Sequence, residues 1–372
     1  MKRLAALLLF LMMTSAAMAD PLPMRDAYFH TPNESSERLC DHDFCFWQMN
    51  EGETDESLVW EVLTQPITVL KGGQKDQVRV RAKPDAKCEE YVGVVTCDSQ
   101  GVHVLAQEGD WSLIEAYSSA VEGSPVKVWA EHFQGYVKTE LLQEKEVDQE
   151  YGIVIDKQQQ RLFVYKEGHL FSTLLCSTGF AKKSTPFNET PAGEYIIVSW
   201  VGLFPSGDLQ CDMGLRINKG IMIHEVPHTL KVNEQTGETK KDYSHCERYL
   251  GEKASHGCIR VQKELTPEGV NQTWLWRNLS RKPCTKVIIW DDVGRTLAYP
   301  DDDYPLYYNP NKGANYHSSP YCRLVREKFL PLTEFTYGEL DEKPFSKLTP
   351  CPGCAPMPRR EKIDEINEKN NR

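Results

Sequence analysis

Ser255-His256-Gly257-Cys258-Ile259-Arg260 is the stretch on which the reading of this chain turns. It sets a cysteine directly after a glycine and close behind a histidine. A thiolate is a strong nucleophile, but a free thiol at pH 7 is mostly protonated and needs a basic or electropositive neighbour. His256 is one such neighbour. His224, at the end of the apolar run Ile221-Met222-Ile223-His224, is another. Gly257 lets the backbone turn tightly, so that successive N–H groups would face a developing oxyanion. The competing reading is a disulfide cysteine in a turn, the common fate of cysteine in an exported chain.

Working outward, the unit opens with Ile153-Val154-Ile155-Asp156 and Arg161-Leu162-Phe163-Val164-Tyr165. It continues through Cys176-Ser177-Thr178-Gly179 and Thr190-Pro191-Ala192-Gly193. In this order the motifs resemble the catalytic domain of the bacterial L,D-transpeptidases (YkuD-type), over residues 150–293. The resemblance implies a mainly β fold, an L,D-transpeptidase-type β-sandwich. It makes Cys258 the acylated nucleophile and His224 its base, oriented through the backbone carbonyl of the next residue. It places His256 and Gly257 at the oxyanion hole, and Arg260 and Ser255 at the substrate. A guanidinium suits a stem carboxylate through two parallel hydrogen bonds; a structural salt bridge would use Arg260 equally well. The implied reaction is acyl transfer on peptidoglycan stem peptides. Cys258 attacks the carbonyl joining an L-centre to D-alanine, and an amine resolves the thioester, with no cofactor. Water in place of the amine would make the chain an L,D-carboxypeptidase or endopeptidase. A non-catalytic cell-wall-binding protein is the reading from a different class.

Two features depart from the family pattern. Glu225 follows His224 where glycine is common, and the span 225–254 is longer than usual. It carries a polar insertion at 231–242 together with His228, His245 and Cys246. The insertion is expected to cap the cleft. Pro227 between His224 and His228 argues against a helix bearing both, so His228 is expected at the surface rather than on a metal.

The N-terminus reads as a signal peptide over residues 1–19. Met1-Lys2-Arg3 is followed by an apolar stretch too short to span a bilayer and by Ala17-Met18-Ala19. Cleavage after Ala19 would leave no cysteine for a lipid anchor, and no later apolar run is long enough for stable membrane insertion. The expected compartment is the periplasm or cell wall. The formal charge of −11, which becomes −13 without Lys2 and Arg3, and the lack of a basic stripe argue against nucleic acid and anionic lipid. Twelve cysteines in an exported chain suggest disulfides. With Cys258 set aside the remainder is odd, so one more thiol is free, metal-bound or intermolecular. Cys40 with Cys45 and Cys88 with Cys97 are the simplest pairs, followed by Cys211 with Cys246 and Cys176 with Cys284. The connectivity and the oligomeric state are not legible.

Residues 20–57 form a polar leader. Residues 58–145 alternate short β-rich runs with turns, among them Val78-Arg79-Val80-Arg81 and Glu108-Gly109-Asp110-Trp111-Ser112-Leu113-Ile114. They resemble a bacterial SH3-like β-barrel, serving either wall binding or packing. Residues 143–150 are highly charged, as linkers are. Within 151–292, helical periodicity is clear only over 272–279. A small Cys/His module at 304–358 carries Tyr316-His317, Cys322 and Pro350-Cys351-Pro352-Gly353-Cys354. It resembles a Tyr-His-x4-Cys, Pro-Cys-x-x-Cys unit appended to other bacterial proteins. His317, Cys322, Cys351 and Cys354 suit tetrahedral zinc in a structural role; a disulfide or redox pair is the alternative. The charged tail at 359–372 is expected to be frayed or helical.

Overall fold

A computed structural model describes residues 56–370. The expected signal peptide, most of the polar leader, Cys40 and Cys45 lie outside the described residues. The described chain is mainly β, and no helix in it is long and apolar enough to cross a membrane.

Tyr151–Asp156, Arg161–Lys166 and Lys286–Trp290 are almost continuously apolar and almost entirely buried. Such strands are covered on both faces, and alternate side chains show what covers each. Ile153, Ile155, Leu162, Val164, Val287 and Ile289 enter the main core, with Leu275 and Leu279 of the helix Gln272–Leu279. That helix forms where its periodicity predicts, and Asn271 caps it by accepting the Trp274 N–H at 3.0 Å. Val154, Phe163, Tyr165, Ile288 and Trp290 face the other way, against Val59, Val62 and Leu63. Those three project at i, i+3 and i+4 from the helix Glu56–Thr64. Residues 58–64, grouped by sequence with the β-rich unit, therefore cover the outer face of these three strands.

The sheet has nine strands. His169–Ser177 joins its two halves: it pairs with Arg161–Lys166 along most of its length, then with Ile259–Val261 through Cys176 and Ser177. Both halves close on one core, so the expected sandwich is a single sheet folded over itself. Beyond Ile259–Val261 lie Ile221–Glu225, parallel to it, then Leu209–Asn218 and Ser199–Ser206.

Between Gln77 and Lys138 five strands form an antiparallel sheet over a core of Leu70, Val80, Val95, Ile114 and Phe133. Ile67–Leu70 pairs with Leu142–Lys145, so entry and exit are stapled together. The expected charged linker is part strand, and Asp148 Oδ1 then accepts the Tyr151 N–H at 2.7 Å. The unit docks on the edge strand Gly193–Ile196, through Gly101 N–H to Glu194 O (2.7 Å) and Ile196 N–H to Ser99 O (2.9 Å). Behind this seam, Glu115 lies 3.1 Å from His103 and 3.4 Å from His132, while Glu194 pairs with buried Lys286 at 2.6 Å. Burial opposes ionisation of Glu115, yet the two histidines outweigh it and hold its carboxyl at about 2.

A four-stranded C-terminal sheet packs Leu306, Tyr316, Phe335 and Tyr337 together. The tail is the helix Arg360–Asn370, seated by Ile363 and Ile366 against Leu297. The ten described cysteines are all thiols. Cys176 lies in the main core, whereas Cys284 packs on a separate cluster with Ile67, Val69 and Ile196, which keeps that expected pair apart. Cys88 with Cys97 and Cys211 with Cys246 are likewise unbonded.

Gly179 is the most tightly confined glycine near the centre of the fold: a Cβ there would stand 2.0 Å from the Asn188 carbonyl oxygen. Gly179→Ala is expected to destabilise the protein by about 3 kcal/mol. Gly202→Ala, where a Cβ meets nothing within 4 Å, should stay within about 0.5 kcal/mol. Denaturant unfolding of the two variants compares them directly.

Candidate active site

Parallel register sets His224 opposite Arg260 and Ile223 opposite Ile259. Cys258 thereby sits at the mouth of its strand, one residue before the pairing begins. The loop leading to it is held from within. Ser255 Oγ accepts the Gly257 N–H at 3.1 Å and donates to the Cys258 carbonyl. Gly257 has φ +114°, a conformation open to glycine and strained for any other residue. Its N–H is thus committed to Ser255, which corrects the expectation that it faces an oxyanion; its part is conformational. The Cys258 amide is the remaining backbone donor of that pair.

The loop is also held from below. Thr190 Oγ1 accepts the Gly179 N–H at 2.8 Å and donates to the Gly257 carbonyl at 2.9 Å. Thr178 O accepts from Ala254 and Ser255, each at 2.9 Å. Thr190 stood in a quoted motif without an assigned role; its clamp depends on a pairing distant in sequence.

Cys258 is half-buried, and its thiol donates to the Gly220 carbonyl at 3.6 Å. Burial pushes the thiol above its ordinary pKa, against the Met222 amide and the charges of Arg260 and Arg216. His224 is buried, and its Nδ1–H donates to the Glu225 carbonyl at 2.7 Å. That bond leaves Nε2 as the unprotonated nitrogen. Burial lowers the imidazole to about 4, with Arg260 adding to the shift and the Glu225 carbonyl opposing it. Both groups are neutral at pH 7 in this arrangement. The Phe204 ring stands edge-on to His224, centroids 5.4 Å apart.

Glu225 divides its duties. Its carbonyl orients His224, while its carboxylate accepts the Tyr243 hydroxyl at 2.8 Å. The insertion is an exposed hairpin, Thr229–Val232 with Thr239–Asp242, and it does not line the cleft. Alternating residues suited to pairing draw it into a ribbon of its own, correcting the expected cap. His228, expected at the surface, is buried instead, 3.5 Å from Asp212 and against the Tyr243 ring.

Arg260 and Ser255, expected at the substrate, are both buried and outside the cleft lining. Arg260 donates to the Ala254 carbonyl at 3.3 Å and has no described carboxylate as an ion-pair partner. Both hold the loop. The basic side chains that do line the cleft are Lys219 and His256, the latter exposed.

The cleft encloses ≈ 520 Å³ with Cys258 in its lining, a size that accommodates a short peptide. One wall is Phe187, Asn188 and Glu189; another comes from the β-rich unit, through Ser118, Ser119 and Trp129. Trp129 meets Phe187 edge-on at 5.8 Å, and Asn218 Nδ2 donates to Ser119 Oγ at 2.6 Å. Beneath Glu189, buried Lys157 lies 2.9 Å from Glu189 and Asp291 and 3.0 Å from Asp292. Sequence carried no signal for Trp129, because a wall supplied by another unit leaves no local motif. His317, Cys322, Cys351 and Cys354 converge in the C-terminal unit, away from this cleft.

Residues 150–289 match the family model of YkuD, the L,D-transpeptidase catalytic domain. That match falls within the span 150–293 over which the sequence resembles this domain. Among solved structures, an L,D-transpeptidase from Xylanimonas cellulosilytica is 17% identical with a TM-score of 0.25, covering 39% of this chain and 64% of that one. One from Stackebrandtia nassauensis is 18% identical with a TM-score of 0.27, covering 40% and 58%. One from Mycobacterium tuberculosis H37Rv is 14% identical with a TM-score of 0.29, covering 62% and 92%. The chain spans less than two thirds of the first two. No curated protein matches it.

The neutral thiol and neutral imidazole set a pH dependence. Alkylation of Cys258 by iodoacetamide, followed by peptide mass mapping, should rise about tenfold per unit between pH 7 and 9 without a plateau, since its thiolate is a minor form there. Protonation of His224 should depress reactivity only as pH falls toward about 4. A plateau below pH 7 would mean a preformed thiolate–imidazolium pair.

Proposed function

We propose that the chain, carrying an L,D-transpeptidase catalytic domain over residues 150–289, acts on peptidoglycan stem peptides outside the cytoplasm with Cys258 as its nucleophile. The observation that carries the reading is the placement of Cys258 in the cleft lining, at the mouth of the strand in register with one bearing a neutral, tautomer-locked imidazole. The signal-peptide pattern of residues 1–19 supports export to the periplasm or cell wall.

In the first half-reaction the thiol leaves the Gly220 carbonyl and passes its proton to His224 Nε2 as Sγ bonds to the acyl carbon. The Cys258 N–H meets the oxyanion, a contribution of about 3 kcal/mol for a well-placed donor. The C–N bond to D-alanine then breaks, and His224 returns the proton to the departing amine. In the second half-reaction a neighbouring stem's amine attacks the thioester and Cys258 recovers its proton. Lys219, at the cleft, suits a stem carboxylate in the place first given to Arg260. The β-rich unit contributes the Trp129 wall, so its proposed part is donor recognition, beyond packing alone.

Intact-mass analysis of the protein incubated with muropeptides tests the reading. The expected species is an acyl-enzyme that has lost D-alanine, followed by cross-linked dimer; free tripeptide alone would make the chain a carboxypeptidase, and no adduct a wall-binding protein. Cys258→Ala should abolish the adduct, and His224→Ala should slow acylation about a thousandfold. Glu225→Gln should act within about threefold of the parent, because the orienting group is a carbonyl. Trp129→Ala should raise the donor KM on the order of tenfold with kcat retained. Unchanged KM would return the β-rich unit to a packing role.

A further inference from the structure

The C-terminal unit brings four nitrogen and sulfur side chains together outside the cleft lining. His317 and Cys322 come from one segment and Cys351 and Cys354 from another; all four are buried and place their ligand atoms within 4.8 Å of one another. We propose that they form a closed structural zinc site, and that its Cys351–Cys354 knuckle braces the strand leading out of the Cys258 loop.

The spacing fits a tetrahedron around zinc. With Zn–S near 2.3 Å and Zn–N near 2.0–2.1 Å, tetrahedral angles require edges of about 3.8 Å between sulfurs and about 3.6 Å between sulfur and nitrogen. Cys322 Sγ and Cys351 Sγ lie 3.7 Å apart, and Cys354 Sγ lies 3.6 Å from His317 Nδ1. A disulfide needs about 2.05 Å, so this arrangement holds none. Oxidising Cys351 with Cys354 would also strand Cys322 and His317 in a buried pocket with no partner of matching chemistry. Every position of the tetrahedron is filled by protein, which leaves no open place for a catalytic water.

Backbone donors face the sulfurs. The Ser318 N–H donates to Cys354 Sγ at 3.4 Å, and the backbones of Leu324 and Cys354 hydrogen-bond Cys322 and Cys351. Amides placed this way orient metal-bound sulfurs and spread their charge. Three thiolates and an imidazole around a dication leave one net negative charge, which such donors stabilise.

The knuckle is also a contact surface. The Gly353 carbonyl accepts Gln262 Nε2 at 3.0 Å, and a Cβ on Gly353 would stand 2.9 Å from the Leu265 carbonyl oxygen. Gln262 directly follows the strand Ile259–Val261, and its Oε1 accepts the Leu175 N–H at 2.6 Å. Arg161 reaches from the other side to the Ala355 carbonyl at 3.3 Å. A metal that fixes Cys351 and Cys354 therefore fixes the carbonyl that positions Gln262, four residues beyond Cys258.

The test uses the full chain purified without a histidine tag. Metal analysis should find about one zinc per chain, and cobalt exchanged under reducing conditions should show thiolate-to-cobalt absorption with tetrahedral d–d bands. Less than about a tenth of an equivalent of zinc with no cobalt uptake, or a Cys351–Cys354 disulfide in the untreated protein, overturns the site. Cys354→Ser should lose the metal; should that variant not fold, cobalt uptake by the parent still decides. For the brace, hydrogen exchange before and after chelation should rise at 259–262 as well as at 349–357, with 91–96 unchanged. Gln262→Leu keeps all four ligands, so it should retain zinc yet show the faster exchange at 259–261. Loosening confined to 349–357 refutes the brace and leaves the metal site standing.

Discussion

Parallel pairing of Ile221–Glu225 with Ile259–Val261 is the constraint from which the site follows. Side chains alternate along a strand, so a slip of one residue would turn His224 out of its packed position and Ile223 out of the core. Ile223 and Ile259 are opposite one another and fully buried in the main cluster. Burying two such side chains contributes about 3–6 kcal/mol together, and that energy sets the register that carries the chemistry. The loop ahead of Ile259 then has little freedom. Ser255 closes it internally, Thr190 ties it to Gly179, and Gly257 supplies the backbone conformation the turn requires.

The same burial governs the state of the proposed reacting groups, Cys258 and His224. Removing water disfavours charge, so the thiol moves up and the imidazole down. The pair rests neutral, so in the proposed reaction the cost of separating charge falls within the reaction rather than before it. A neutral resting thiol is also less open to oxidation than a standing thiolate. In a chain whose ten described cysteines are all thiols, Cys258 is the half-buried one at the cleft, while Cys176, Cys211 and Cys246 are fully enclosed.

Much of the catalytic unit was legible because its signals are local. The Ser255–Arg260 string, the apolar strands and the capped helix at Gln272–Leu279 each report on a few neighbouring residues. What was missed depends on partners distant in sequence. Val59, Val62 and Leu63 form a plain amphipathic stripe, and only the outer-face side chains of Phe163 and Tyr165, which it buries, determine where it lands. Arg260 carries a side chain suited to a carboxylate, yet its strand turns it inward to the Ala254 carbonyl. His228 looked solvent-facing because proline precedes it; the hairpin that follows folds Tyr243 back over its ring. The expected cap failed for a related reason, since the inserted strands satisfy one another and need no cleft to cover.

Three units meet the nine-stranded sheet at three different places, and the fold around the cleft depends on what flanks it. The β-rich unit enters from one side, adding its ladder to Gly193–Ile196 and its Trp129 to the cleft. The helix Glu56–Thr64 covers the outer face, where Lys286 reaches the Val62 carbonyl at 3.0 Å while pairing with Glu194. The C-terminal knuckle meets Gln262 at the far end of the strand that begins beside Cys258. A buried ion pair such as Lys286–Glu194 adds little net stability over an apolar substitute, but breaking one partner is costly. Its position at the seam between β-rich unit, helix and sheet therefore acts on arrangement more than on stability. The wall of the cleft and the register of the loop are held by contacts made across units, so the geometry around Cys258 is a property of the assembled chain.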